Sequence, residues 1–135
     1  MEQDMEEAEK RQAEHAAPQT SNDFEKLVIA SPNSSFVWIR YMAFHLARAD
    51  VSTARSVAER ALKTINYREE AEKLNVWVAY MNLENKFGEP ATLEKVFTRA
   101  CQFNDPKKIH LQLVKIYEAT DDIKVCNHII LNGTD

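Results

Sequence analysis

The sequence predicts an all-α protein, an α-solenoid of antiparallel helix pairs, on three observations. The chain echoes itself: Trp38, Tyr41, Val57, Arg60 and Ala61 recur as Trp77, Tyr80, Val96, Arg99 and Ala100, each at an offset of 39. A fixed period of that size marks stacked helical repeats. The 135 residues include two Gly and four Pro, too few turn formers for a β-sandwich or barrel, which turns every ~8–12 residues. Apolar residues also fall at helical spacing, as in Leu74, Trp77, Val78 and Met81, which share one helix face.

Residues 1–21 are expected to form an acidic, disordered tail. Residues 1–23 hold seven acids against two bases and almost no large apolar side chain, so they have little to bury. A half unit follows at 23–31. Asn22 or Asp23 is placed to cap it, Phe24, Leu27 and Val28 form its apolar face, and it must stop before Pro32.

The first full unit spans 33–64. Ser34 is the expected cap of a helix running to about Ala49. Its apolar residues cover more than one face, the pattern of a helix contacted from two sides. Ser52 should cap its partner, which presents the small stripe Ala54, Val57, Ala58, Ala61 and Leu62. The second unit spans 69–103, with Gly88 expected in a left-handed C-cap and Leu93, Val96, Phe97 and Ala100 turned inward. A third, degenerate unit spans 107–131. There Leu111, Val114 and Glu118 are read in the places of Trp77, Tyr80 and Glu84, 34 residues on. Residues 132–135 are a short tail.

Each residue of the repeated set has a physical job. A helix pair buries little alone and becomes stable by stacking, so each interface needs an anchor and a groove. Trp38 and Trp77 can each bury ~150–250 Å². Ala61 and Ala100 leave grooves, and Tyr41 and Tyr80 carry a hydroxyl on an apolar body. Glu84 is expected to pair with Arg99. His45, where an acid would stand, cannot pair in that way with Arg60.

Other chemistries find no support. Cys101, His110, Cys126 and His128 match no zinc-ligand spacing, and two cysteines make no disulfide framework. No nucleophile–base set or Gly-rich phosphate loop is present, so no enzyme and no cofactor or metal is expected. The apolar runs fall far short of the ~20 residues that span a bilayer, so no membrane partner is expected. The acidic N-terminus is not a secretory signal, which makes an intracellular compartment the default. Residues 24–135 hold fourteen acids and fifteen bases, a balance ill suited to neutralising many phosphates. Lys107, Lys108 and Lys115 are the candidate RNA contacts.

The pattern Trp77-x-x-Tyr80-x-x-x-Glu84, with Arg99 on the second helix, resembles the HAT (half-a-tetratricopeptide) motif. Trp38-x-x-Tyr41 with Arg60 matches it except at His45. Over roughly residues 22–120, "SPNSSFVWIRYMAF" and "EKLNVWVAYMNLEN" are similar to the HAT region of a family of large nucleolar proteins, in which OB-fold RNA-binding domains precede the repeats. The resemblance implies a protein-interaction scaffold for pre-ribosomal RNA processing, with partners in that machinery and a nuclear, nucleolar location. Direct RNA binding, expected to be weak, is one alternative; a scaffold for splicing or polyadenylation is another. Uncapped repeat ends imply self-association or dependence on a larger protein.

Overall fold

The computed structural model of the chain describes residues 18–120. The acidic segment 1–17, the expected helix at 122–131 with Cys126 and His128, and the tail 132–135 lie outside them. Among the described residues the chain forms helices α1 (Ser21–Ala30), α2 (Ser35–Ala47), α3 (Val51–Thr64), α4 (Glu70–Phe87), α5 (Pro90–Phe103) and α6 (Pro106–Thr120), and no strand.

The helix ends depart from expectation in instructive ways. α1 starts earlier, because Thr20 rather than Asn22 or Asp23 is its cap. Thr20 Oγ1 accepts from the Asp23 amide, and the Asp23 carboxylate accepts in return from the Thr20 amide, a capping box. α2 is not capped by the Ser34 side chain. Instead Glu72, from the first turn of α4, accepts from the Ser35 amide at 2.8 Å and the Ser35 hydroxyl at 2.9 Å. A carboxylate on free amides at a positive helix end is favourable. Asp50, not Ser52, caps α3 by accepting from the Thr53 amide.

α2 ends two residues before the expected Ala49. The Asp50 amide bonds back to the His45 carbonyl and the Ala49 amide to that of Leu46, a Schellman closure. Ala49 sits in it at φ 60°, a position that glycine usually takes. Gly88, by contrast, is extended (φ −99°, ψ −159°) rather than left-handed. It is small because a Cβ there would collide with Glu84 Oε1 and Thr92 Oγ1.

Packing follows the two-helix repeat. α2 packs on α4 and α4 on α6, forming one layer. α1, α3 and α5 each pack on the helix that follows, while the Cα atoms of α1, α3 and α5 nowhere come within 8 Å of one another. The core is one continuous cluster that includes Trp38, Met42, Ala54, Ala58, Ala61, Met81, Ala100 and Leu113. The three alanines of α3 are fully buried, which lets the larger helices approach closely.

The third unit takes a different register. Leu111 is 55% exposed, whereas Leu113, Ile116 and Tyr117 are buried. These repeat the burial of Trp77, Tyr80 and Met81 at an offset of 36, so Leu111 does not stand in for Trp77. Val114 is half-buried and Glu118 exposed. α6 carries apolar residues on two faces, and spacing alone does not choose between them.

Candidate functional site

Two junctions share one arrangement. At the second, Glu59 on α3 receives Tyr80 Oη at 2.7 Å and both Nη atoms of Arg99 at 2.6 and 2.9 Å. The Arg99 guanidinium also lies 5.2 Å from the Trp77 ring centroid. At the first, Glu25 on α1 receives Tyr41 Oη at 2.5 Å and Arg60 at 2.7 and 3.0 Å, and Arg60 lies 5.5 Å from the ring of Trp38. Each carboxylate comes from the second helix of one repeat, each tyrosine and arginine from the repeat that follows. The side chains thus bridge helices whose backbones stay apart.

The electrostatics agree with the geometry. Arg60, then Tyr41, hold the Glu25 carboxyl at about 2. Arg99 lowers Glu59 in the same way. Burial, then the neighbouring carboxylate, pushes the Tyr41 and Tyr80 hydroxyls up.

Glu84 and Arg99 therefore do not pair. Glu84 is 2% exposed and binds Arg55 of α3 through two bonds, at 2.8 and 3.0 Å. At the first junction the corresponding positions are His45 and Ser21. Ser21 Oγ lies 3.0 Å from Tyr41 Oη, and His45 is buried against Tyr41 and Phe44, with no hydrogen-bond partner for Nε2 among the described residues. Along α5 and α6 the same two residues do not recur: Thr98 holds the register of Glu59 and Ile116 that of Tyr80.

Glu25, Glu59 and Arg55 were missed by sequence reasoning, although a signal existed. Glu25 and Glu59 each precede a buried Val28 or Leu62 by three residues. Trp38 and Trp77 are 1% and 3% exposed, and Ala61 and Ala100 are fully buried. Lys107, Lys108 and Lys115 are exposed on α6; Lys108 lies beside the second junction with Glu59, Trp77 and Arg99, whereas Lys107 and Lys115 do not.

The second junction opens into a cleft of about 800 Å³ between the ends of α3 and α5, with α4 as its floor. Tyr80, Trp77 and Phe103 form a near-parallel stack, with centroids 6.5 and 5.9 Å apart. The stack starts at Tyr80, bonded to the partly exposed Glu59–Arg99 pair, and ends in the cleft at Phe103, which is 71% exposed. Tyr67, equally exposed, also lines it, with Lys63, Lys73 and Lys108. No group of three His, Cys, Asp or Glu able to hold a metal ion occurs among the described residues. No described helix is long and apolar enough to cross a membrane.

Comparison with known proteins agrees with this architecture. Residues 1–107 match a family model described as the pre-mRNA-splicing factor Syf1/CNRKL1 N-terminal HAT repeat. The chain is 58% identical over 125 residues to rRNA biogenesis protein RRP5 of Arabidopsis thaliana, covering 91% of this chain and 6% of that protein. It is 56% identical over 104 residues to Protein RRP5 homolog of Homo sapiens, covering 77% of this chain and 6% of that protein. With rRNA biogenesis protein rrp5 of Schizosaccharomyces pombe the identity is 50% over 99 residues, covering 73% and 6%. The chain spans about 6% of the length of these relatives. The chain belongs to the HAT-repeat family, and its array is of the kind found in RRP5 proteins.

Proposed function

We propose that this array is a non-catalytic protein-docking scaffold in the assembly that processes pre-ribosomal RNA, working in the nucleus and nucleolus. The observation that carries this reading is the open cleft held at a fixed stacked junction, where aromatic side chains stand in solvent instead of in the core. Large exposed apolar patches mark interaction sites. Relatives named for rRNA biogenesis supply the biological setting. Direct RNA binding is less well supported, because residues 18–120 hold twelve acids and fourteen bases. Proteins that grip RNA by counterion release are usually far more basic.

The test is capture from nuclear extract on the immobilised chain, with and without nuclease. Pre-ribosomal proteins should be retained after nuclease treatment. Loss of all capture with nuclease would point to RNA instead. Retention of splicing proteins alone would favour the second setting, which the splicing-factor name of the matching family model brings in.

A further inference from the structure

The cleft at the second junction has a chemistry of its own. Its aromatic surface is not spare core: Phe103 and Tyr67 are each 71% exposed, yet Phe103 is held parallel to Trp77 at an interplanar angle of 13°. A ring fixed in solvent by a buried neighbour is a preorganised anchor, and preorganisation lowers the entropy cost of binding. The first junction offers no such surface, since Thr64 holds the register of Phe103.

The charges around the rings are uneven once internal bonds are followed. Both oxygens of Glu59 are taken by Arg99 and Tyr80. Asp105 accepts from the Lys107 amide at the start of α6. Among the described residues, Glu70 is then the one lining carboxylate without a hydrogen bond or ion pair. It faces three lysines, Lys63, Lys73 and Lys108, whose ammonium groups form no ion pair among those residues.

We infer that this cleft docks an extended acidic peptide, one that lays an aromatic or large aliphatic side chain between Tyr67 and Phe103 and places carboxylates toward Lys63, Lys73 and Lys108. The inference rests on the scaffold reading above and names the class of partner that reading leaves open. A peptide fits better than single-stranded RNA, because Glu70, without a partner among the described residues, and Asp105, whose charge the neutral Lys107 amide leaves in place, would lie beside the phosphates of a strand tracking the cleft. A peptide chain can instead present neutral backbone to them.

The probe is a short fluorescein-labelled peptide of acidic residues around two phenylalanines, titrated by anisotropy. Controls are the same peptide with glycines for phenylalanines, a lysine-for-acid version, and a labelled oligouridine. The acidic aromatic peptide should bind, weaken with salt, and lose about tenfold or more in affinity in Phe103→Ser, as expected for an interface anchor. The triple change Lys63→Glu, Lys73→Glu, Lys108→Glu should abolish binding and let the basic peptide bind instead. Phe103, Lys63 and Lys108 are exposed and Lys73 is half-buried, and an unchanged thermal melt confirms the fold. Absence of binding by the acidic peptide, equal binding of the basic one, or tighter binding of oligouridine would each overturn the inference. If Phe103→Ser and the lysine changes leave nuclease-resistant capture from nuclear extract intact, the scaffold reading stands and the cleft assignment falls. If wild-type capture itself fails, the scaffold reading falls first.

Discussion

Arg99 pairs with Glu59, on the second helix of the preceding repeat, and not with Glu84 of its own. The motif's basic residue therefore ties one repeat to the next. Both partners are partly exposed, at 41% and 34%, so a double-mutant cycle of Glu59→Ala with Arg99→Ala should give a coupling of about 0.2–1 kcal/mol. A cycle of Glu84→Ala with Arg99→Ala should give none. Equal couplings in the two cycles would show that the pairing described here is wrong.

Trp77→Ala should destabilise the array by about 3–5 kcal/mol, the range for removing a large buried aromatic. Trp38→Ala should behave alike, since the two rings are 1% and 3% exposed. Denaturant titration reads both. Either variant melting with the parent would mean that its ring is not an interface anchor.

Acid should loosen the first junction in a defined window. Glu25 has its carboxyl held at about 2 against an ordinary value of 4.5. A lowered folded-state pKa means the charged form is favoured by folding, so its contribution is fully present above about pH 4.5. That contribution fades as pH falls toward 2. The stability gap between the parent and Glu25→Gln should narrow across that interval. The gap will be modest, because the carboxylate is 34% exposed. A gap that widened on acidification would contradict the sign.

Ala49 occupies a left-handed position that costs a non-glycine residue roughly 1–2 kcal/mol. Ala49→Gly should therefore raise stability by up to about 1 kcal/mol, once the added freedom of glycine in the unfolded chain is subtracted. An unchanged or lower melting temperature would argue against the Schellman closure at the end of α2.

Grafting the Glu84–Arg55 pair onto the first junction tests the equivalence of the two. His45→Glu alone buries an unpaired carboxylate and should destabilise by about 1–3 kcal/mol or more. Ser21→Arg alone should do little. Together they should recover most of the loss, and strictly additive effects would show that Ser21 and Arg55 do not hold matching places.

The tryptophans, tyrosines and arginines were legible because both full repeats preserve the spacing from Trp to Arg. Their acidic partners were not. Glu25 precedes Trp38 by 13 residues and Glu59 precedes Trp77 by 18. Four of the five extra residues arise because α4 starts seven residues before Trp77 whereas α2 starts three before Trp38, and the fifth lies in the longer loop before α4. That longer first turn of α4 carries Glu72, the residue that caps α2, so the insertion that breaks the period is itself structural. Gly88 was recognised as necessary but for the wrong reason, since sequence does not reveal whether a glycine supplies a backbone angle or an empty space. The exposed ends of Tyr67 and Phe103 were also illegible, because periodicity finds buried faces and says nothing about an aromatic held in water.

The separation of α1, α3 and α5 gives the array two unlike edges. The edge formed by α2, α4 and α6 is packed side chain against side chain and resists bending as a protein interior does. The other edge is strung with half-exposed ion pairs that weaken as salt screens them. Rising ionic strength therefore acts on one flank of the array, as on cords strung beside a spine, and leaves the packed flank untouched, so the two edges answer unequally to salt.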